Sequence, residues 1–216
     1  MIPCEIKDLG LIEYDKAYSI QKECVESVLK GGPQMLIFCE HPAILTLGRM
    51  TKRSNLLLSE EDIIKQGINI QPIDRGGDVT LHSPGQLVIY PILNLNHWGK
   101  DLHEYLRNLE EVAIDLLKRF GILANRFLGQ KRETGVWVGP KKIVSVGIGV
   151  RRWVSFHGLA INVNTDLNLF KLIKPCGLDV TMTSMAEIKG KTVAMDAVKQ
   201  RVQESFKQIL KLNFED

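Results

Sequence analysis

Three groups of residues in this 216-residue chain could carry out chemistry. The first is a cysteine, Cys176, which lies between Pro175 and Gly177 shortly after Lys171 and Lys174. Positive charge nearby lowers the pKa of a thiol and raises its thiolate fraction, which is what a nucleophile needs. An ordinary half-buried loop cysteine would fit the same local context, so both interpretations stay open at this point.

The other three cysteines have structural interpretations. Cys24 falls on the apolar stripe of a predicted helix and Cys39 ends an apolar run, as small core residues do. Cys4 stands near the N-terminus, where we expect a frayed segment and an incidental thiol. Cys39 and His41 could approach each other, but no second pair has metal-ligand spacing, so we expect no metal site.

The second group is a glycine-rich block, Arg75 to Gln86, which the pattern places between two strands. Paired glycines allow a backbone to approach a ligand closely because no Cβ stands in the way. A hairpin is the alternative, but a bare turn does not need Arg75, Thr80 and His82 together. The chain has no G-x-x-x-x-G-K-[ST] loop, and Gly147 is not part of a complete dinucleotide fingerprint, so neither ATP nor NAD has support.

The third group is Lys142, which begins a very apolar run, Ile143 to Ile148. A lysine that enters a buried strand either extends its ammonium to solvent, the usual case, or is held at a site. Adjacent residues of a strand point to opposite faces. Only one of Lys141 and Lys142 can therefore face a pocket.

Helices and strands that would position these groups are interspersed along the chain. Apolar periodicity predicts helices over 14–29, 60–65, 102–120 and 193–212, with Ser59 as an N-cap and Gly121 as a C-terminal stop. Strand-like runs cover 35–40, 68–73, 86–93, 135–139, 142–150 and 153–163; Pro91 indicates an edge strand or a strand end, and the short connections after 135 favour antiparallel pairing. We therefore predict an α+β fold, with residues 1–216 in one domain and helices on one or both faces of a sheet.

Composition indicates a soluble protein. Hydrophobic residues make up 44% and charged residues 25%, with no membrane-spanning run. The N-terminus lacks the basic start and apolar stretch of a secretory signal, so we expect a cytoplasmic protein.

The charge is unevenly distributed. The net charge of +3 is too small to indicate nucleic acid as a partner. The stretch from Arg126 to Lys174, however, contains nine basic residues and only two acidic ones. Such an excess is either a solvated face or a docking surface for acidic proteins, and the count alone does not decide between them.

Several blocks of residues occur in one order over most of the chain, which is more specific than any single block. They are Glu40-His41-Pro42, Thr46-Leu47-Gly48-Arg49, the Arg75 to Gln86 block continuing to Pro91, Glu104-Tyr105-Leu106-Arg107, Thr134-Gly135-Val136-Trp137-Val138, Lys142-Ile143, His157-Gly158-Leu159-Ala160-Ile161-Asn162, Pro175-Cys176-Gly177 and Thr183-Ser184-Met185. Together they resemble the lipoyl(octanoyl) transferase family, the octanoyl carrier protein:protein N-octanoyltransferases. One departure is Ser83, where the family commonly has glycine.

The resemblance implies a biotin/lipoate protein ligase-like fold, a mixed sheet with flanking helices. It also implies a catalytic dyad of Cys176 and Lys142. We place His82 beside this dyad as a positioning or hydrogen-bonding residue. By the same resemblance, the walls of an acyl tunnel would be formed by Arg75, Gly76, Gly77, Asp78, Val79, Thr80, Leu81, His82, Val146, Gly147 and Ile148 on one side and by His157, Gly158 and Ala160 on the other.

The resemblance further implies partners. Octanoyl acyl carrier protein would deliver the acyl group on its phosphopantetheine. Lipoyl domains of 2-oxoacid dehydrogenase E2 subunits and the glycine cleavage H protein would accept it. A thioester already stores the activation, so we expect the reaction to need no ATP. We also expect no metal, nucleic acid or membrane to take part.

Two other functions fit part of the pattern. An ATP-dependent lipoate or biotin ligase on the same fold would bind an adenylate and would not need Cys176. A non-catalytic protein could merely capture acyl or carrier-protein ligands in the pocket. Nucleotide dependence separates the first from a transferase, and turnover with purified components separates the second.

Overall fold

Ten strands and five α-helices make up the computed structural model, which describes residues 1–127, 134–174 and 180–214. The strands are β1 (Ile2–Leu11), β2 (Gln34–Glu40), β3 (Ile44–Leu47), β4 (Asn69–Pro72), β5 (Val79–His82), β6 (Gln86–Ile92), β7 (Gly135–Val138), β8 (Lys141–Arg151), β9 (Val154–Asn162) and β10 (Leu212–Phe214). The helices are α1 (Tyr14–Leu29), α2 (Glu60–Lys65), α3 (Leu102–Arg119), α4 (Met185–Lys189) and α5 (Met195–Leu210).

The strands form two sheets. The larger has seven strands in the order β10-β1-β2-β6-β9-β8-β7, and the smaller has three in the order β4-β3-β5. β1 runs parallel to β2 and β10, whereas β2, β6, β9, β8 and β7 pair antiparallel in turn. This mixed sheet with flanking helices confirms the predicted α+β class.

Alternate residues of the central strands face opposite sides of the large sheet. Leu36 and Phe38 of β2 pack in one hydrophobic cluster, whereas Ile37 and Cys39 pack in another. The first cluster contains the buried faces of α3 and α5, and the second contains that of α1. A strand buried on both faces explains why residues 35–40 form a continuous apolar run.

A third hydrophobic cluster lies on the small sheet. It joins Leu45 of β3 and Leu81 of β5 to Phe170, Ile173 and Met182. The last three residues flank the segment 175–179. The small sheet is thus the support on which the chain before and after that segment is packed.

Most predicted helices and strands are present with small shifts at their ends. Ser59 is the N-cap of α2, and its hydroxyl accepts a hydrogen bond from the Asp62 N–H. Gly121 follows the end of α3 with a φ of +70°, a conformation that favours glycine. Among the described helices, none is long and apolar enough to cross a membrane.

Three predictions about the strands were wrong. Cys4 belongs to β1 and is buried in the core; that strand is otherwise largely exposed, so it carries no apolar alternation. Part of the glycine-rich block, Val79–His82, is itself a strand. β6 is an interior strand paired with β2 and β9, so the edge interpretation of Pro91 fails, while its position next to the last residue supports a strand end.

Candidate active site

A cleft lies between the face of the large sheet that carries α1 and the small sheet. It encloses about 620 Å³ of empty space, including its open mouth. Residues predicted for its walls do line it: Arg75, Gly77, Asp78, Val79, Thr80, His82, Val146, Gly147, His157, Gly158 and Ala160, together with Lys142.

Three residues of the predicted wall do not line the cleft. Leu81 is fully buried in the hydrophobic cluster of the small sheet. Gly76 and Ile148 lie beside the cleft and hold its walls together, because the Gly76 N–H donates to the Ile148 carbonyl at 2.9 Å. The glycine-rich block is thereby fastened to β8.

Sequence reasoning missed seven lining residues. They are Tyr14, Ile73, Val88, Tyr90, Thr134, Ser145 and Leu159. Most are apolar or aromatic residues on regular elements, and nothing in their pattern distinguishes a side chain facing a cleft from one facing the core. Four of them had a signal, since they belong to blocks that resemble the transferase family: Val88, Tyr90, Thr134 and Leu159.

Lys142 is held inside the protein. Only 2% of it is exposed, so the interpretation in which its ammonium reaches solvent is wrong. Its Nζ donates to the Thr134 carbonyl at 3.1 Å and lies 4.8 Å from the centre of the Trp137 ring. A carbonyl dipole and an aromatic face are both favourable surroundings for a cation.

The neighbouring lysine points the other way. Lys141 is half-exposed and its Nζ lies 3.1 Å from the Glu187 carboxylate. The alternation of strand side chains therefore separates the two lysines as predicted, with Lys142 on the cleft side.

Histidine and tyrosine side chains line the cleft away from Lys142. His157 is buried and adopts a φ of +56° within β9, a strained conformation for a residue other than glycine. Its Nε2 lies 2.9 Å from an Asp74 carboxylate oxygen, which can only accept, so Nε2–H donates and Nδ1 accepts from the Tyr14 hydroxyl at 3.3 Å. Tyr18 donates to the other Asp74 oxygen at 2.9 Å.

Burial keeps these histidines uncharged. It lowers the pKa of His82 to about 3, reinforced by His41 and opposed by the hydrogen bond to Gln86. Burial likewise lowers the pKa of His41 and of His157, in the latter case against the effect of Asp74. The hydrogen bond from His157 lowers the pKa of Asp74. With so low a pKa, His82 is a poor base near neutral pH.

Three of the four cysteines are poor nucleophiles. Cys4, Cys24 and Cys39 are all buried, and burial raises the pKa of each thiol, that of Cys4 to about 12. The core interpretation of Cys24 and Cys39 is thereby confirmed. The predicted nucleophile, Cys176, lies outside the described residues.

The chain on both sides of 175–179 is bonded to the cleft. The backbone of Lys142 donates to the Thr181 carbonyl and accepts from the Thr183 N–H, both at 2.9 Å. On the other side, the Lys174 N–H donates to the Asn55 carbonyl at 2.7 Å. The Asn55 side chain in turn donates to Asp78, which lines the cleft, at 2.5 Å.

Three of the nine basic residues between 126 and 174 pair with acidic residues outside that stretch. Arg126 pairs with Glu110 and Glu111, Lys141 with Glu187, and Arg151 with Glu26. Counting charges along the sequence therefore overestimates the positive potential of this surface.

His41 and Cys39 do approach each other, with Sγ and Nε2 at 3.5 Å. Both His41 nitrogens have other neighbours: Nδ1 lies 2.7 Å from the Ile12 carbonyl and Nε2 lies 2.7 Å from the Tyr90 hydroxyl. Within the described ranges, no group of three or more His, Cys, Asp or Glu side chains could hold a metal ion. Cys39 and His41 belong instead to the packing beneath the cleft.

Ser83 replaces the glycine of the family pattern without a left-handed backbone. It is buried, and its Oγ has no hydrogen-bond partner among the residues that the structure describes. The adjacent turn depends on Gly85, whose φ is +83° and whose Cβ would lie 2.6 Å from the Asn164 carbonyl oxygen. The serine is therefore accommodated beside a turn that glycine still makes.

Comparisons with known proteins agree on one family. The model of the lipoyl protein ligase A/B catalytic domain matches residues 13–207. A protein of Syntrophotalea carbinolica named octanoyltransferase is 46% identical over 209 residues, which cover 96% of this chain and 94% of that protein.

Solved structures show the same fold. A putative lipoate protein ligase from T. acidophilum, with bound lipoic acid, has a TM-score of 0.82 at 18% identity, covering 99% of this chain and 88% of that one. A biotin protein ligase from Aquifex aeolicus has a TM-score of 0.53 at 14% identity, covering 98% and 70%. The predicted biotin/lipoate protein ligase-like fold is confirmed.

Proposed function

Because this chain belongs to the octanoyltransferases of the lipoyl protein ligase A/B catalytic-domain family, which are acyltransferases, we propose that it moves an octanoyl group from acyl carrier protein to a lysine of a lipoyl domain. The acyl group passes through a thioester on Cys176, and Lys142 exchanges the protons. The acceptors are lipoyl domains of 2-oxoacid dehydrogenase E2 subunits and the glycine cleavage H protein. The reaction uses no ATP and no metal.

In the first half-reaction, the Cys176 thiolate attacks the carbonyl carbon of the octanoyl thioester. A new carbon–sulfur bond forms on Cys176 and the bond to the phosphopantetheine sulfur breaks. The departing thiolate takes a proton from the Lys142 ammonium. An octanoyl-enzyme and a neutral Lys142 amine remain.

In the second half-reaction, the neutral amine of the target lysine attacks the octanoyl-enzyme thioester. An amide bond forms, the bond to the Cys176 sulfur breaks, and Lys142 accepts the proton released by the attacking nitrogen. The Cys176 thiolate and the Lys142 ammonium are restored. One lysine thus serves both steps without a further proton donor.

The observation that carries this proposal is the placement of Lys142: a buried amine in the wall of a cleft, with its backbone bonded to the chain that follows Cys176. A second observation supports the choice of cysteine. Cys4, Cys24 and Cys39 are buried thiols with raised pKa values, so none of them suits nucleophilic attack.

The test is the intact mass of the protein after it is mixed with octanoyl acyl carrier protein in the absence of ATP. We expect a gain of one octanoyl group that hydroxylamine removes and that peptide mapping places on Cys176. Cys176→Ser should abolish the labile adduct while leaving the melting temperature unchanged. An adduct on Cys4, Cys24 or Cys39 would overturn the assignment.

The same experiment separates the alternatives. An ATP-dependent ligase would transfer acyl groups only when nucleotide is present. A binding protein without activity would retain the octanoyl carrier protein but would not modify a purified lipoyl domain.

A further inference from the structure

One buried carboxylate next to the lysine has no part in the proposed chemistry. Glu110 lies on α3 with none of its side chain exposed. Its Oε1 accepts from the Gly135 N–H at 2.9 Å, while its Oε2 accepts from Arg107 Nη1 at 2.7 Å and from Arg126 Nε at 3.1 Å. A carboxylate removed from water needs such partners on both oxygens.

The bond to Gly135 has a consequence for Lys142. The Gly135 N–H and the Thr134 carbonyl belong to the same peptide group, which is planar and trans, so they point in opposite directions. Glu110 binds the N–H end of that group. The carbonyl end accepts from Lys142 Nζ at 3.1 Å. The Thr134–Gly135 peptide is therefore hydrogen-bonded to the Glu110 carboxylate at one end and to the Lys142 ammonium at the other.

Gly135 itself lies against the lysine stem. Its φ is +138°, and a Cβ at this position would lie 2.6 Å from Lys142 Cε and 2.6 Å from the Val144 carbonyl oxygen. Only glycine lets the peptide and the side chain come this close. On the other side of the peptide, the Thr134 hydroxyl donates to the Val146 carbonyl at 3.1 Å.

We infer that Glu110 is a positioning residue for the transfer reaction: it fixes the Thr134–Gly135 peptide so that the Thr134 carbonyl holds the Lys142 ammonium in place. The inference rests on the proposed function of Lys142. The hydrogen bond at the N–H end also polarises the peptide, which strengthens the carbonyl as an acceptor.

The alternative is a purely structural role, in which Glu110 only anchors Arg126. The chain offers a matched control in the neighbouring Glu111. It also binds Arg126, through Nη2 at 2.6 Å, and within the described part of the chain it forms no hydrogen bond with Gly135. Replacing Glu111 therefore weakens the anchor of Arg126 while leaving the peptide plane bound.

The experiment compares Glu110→Ala, Glu110→Gln and Glu111→Gln in steady-state octanoyl transfer. Glu110→Ala should lower kcat on the order of 10²-fold, the scale of a misplaced catalytic group, with KM for the carrier protein unchanged. Glu110→Gln keeps one acceptor oxygen but places a donor NH2 against either the arginines or the Gly135 N–H, so its kcat should fall, though less than that of Glu110→Ala. Glu111→Gln should stay within about threefold of the native value. Should Glu110→Ala fail to fold, Glu110→Leu fills the space without an acceptor and carries the same expectation.

Unchanged kcat in Glu110→Ala or Glu110→Leu would overturn the inference. So would an equal loss in Glu111→Gln, because it would make the anchoring of Arg126, rather than the bond to Gly135, responsible.

A double-mutant cycle with Lys142→Ala shows whether Glu110 acts through the lysine. In the Lys142→Ala background, Glu110→Ala should cause no further loss of kcat. A multiplicative loss would overturn the positioning role while leaving the proposed function intact. Native kcat in Lys142→Ala alone would instead overturn the proposed role of Lys142, so the two failures are distinguishable.

Discussion

The two ends of the cleft surround their ionisable groups in opposite ways. At the lysine end, formed by Lys142, Thr134 and Trp137, a buried amine meets a carbonyl oxygen and the face of a ring. At the histidine end, Tyr14, His82, Tyr90 and His157 line the cleft and His41 packs beneath them. Burial lowers the pKa of each of the three histidines.

The two ends therefore differ in what a bound molecule would meet. At the lysine end, the buried Lys142 amine donates to the Thr134 carbonyl and lies against the Trp137 ring. The histidine end offers uncharged side chains whose donors and acceptors are largely bonded to each other. Uncharged aromatic side chains of this kind can contact an apolar acyl chain at a lower desolvation cost than ionised ones.

The largest effect should come from the lysine end. Lys142→Ala should lower octanoyl transfer by about 10²–10⁴-fold, the usual range for removing a general acid–base group. Lys141→Ala, which loses only a half-exposed ion pair with Glu187, should change transfer by less than about twofold. Rates of both half-reactions, measured in single turnover, check this. Equal losses of transfer in Lys142→Ala and Lys141→Ala would contradict the prediction that only the lysine on the cleft side of β8 takes part in the reaction.

Lys142→Arg sharpens the same comparison. Guanidinium keeps a positive charge but does not accept a proton near neutral pH. We expect acylation of Cys176 to be retained better than transfer to the lipoyl domain. Equal slowing of the two half-reactions would contradict separate electrostatic and proton-accepting roles.

The histidine end should control how stability depends on pH. A histidine whose pKa is lowered on folding stabilises the protein above its unfolded value of 6.5, and that contribution is lost as pH falls towards the folded value. The folded pKa of His82 is about 3. Lowering the pH from 7.5 to 5 should therefore reduce the unfolding free energy by about 2 kcal/mol through His82 alone. His82→Asn should flatten the pH dependence of urea unfolding.

The exposed His97 provides the control, because His97→Asn should leave that dependence unchanged. If the unfolding free energy of His82→Asn fell with pH as steeply as that of the native protein, His82 would not be a buried neutral group.

A small effect on octanoyl transfer is expected from Tyr14→Phe. The change removes the hydroxyl that donates to His157 Nδ1, leaving a buried acceptor unsatisfied, at a cost of roughly 1–3 kcal/mol in unfolding free energy. Octanoyl transfer should stay within a few-fold of native, in contrast to Lys142→Ala. Loss of transfer on the scale of Lys142→Ala would mean that the histidine end takes part in proton exchange.

Salt should have the smallest effect. Because Arg126, Lys141 and Arg151 are paired within the protein, docking of an acidic carrier should depend only weakly on them. We expect kcat/KM to fall by about two- to threefold over a rise in ionic strength that shortens the Debye length from about 10 Å to about 8 Å or less. A loss of more than tenfold would show that a larger basic surface docks the partner.

The sequence by itself determined the family and much of the local structure, and it predicted the reactive groups. Blocks of residues pointed to Lys142 and Cys176, capping chemistry located α2 behind Ser59, and apolar periodicity located α1 and α3. These features depend on residues close together in the chain, so their patterns are visible in it. The exposed strand β1 carries no such pattern and was missed.

Only the tertiary structure decided which groups are buried and what they meet. Glu110 binds Gly135, Asp74 binds His157 and Arg151 pairs with Glu26, in each case across 25 to 125 residues of sequence. No local pattern distinguishes Glu110 from its half-exposed neighbour Glu111. The charge state and orientation of a side chain depend on such distant partners, because burial and hydrogen bonding, rather than residue type, determine whether a charge or a proton is stable there.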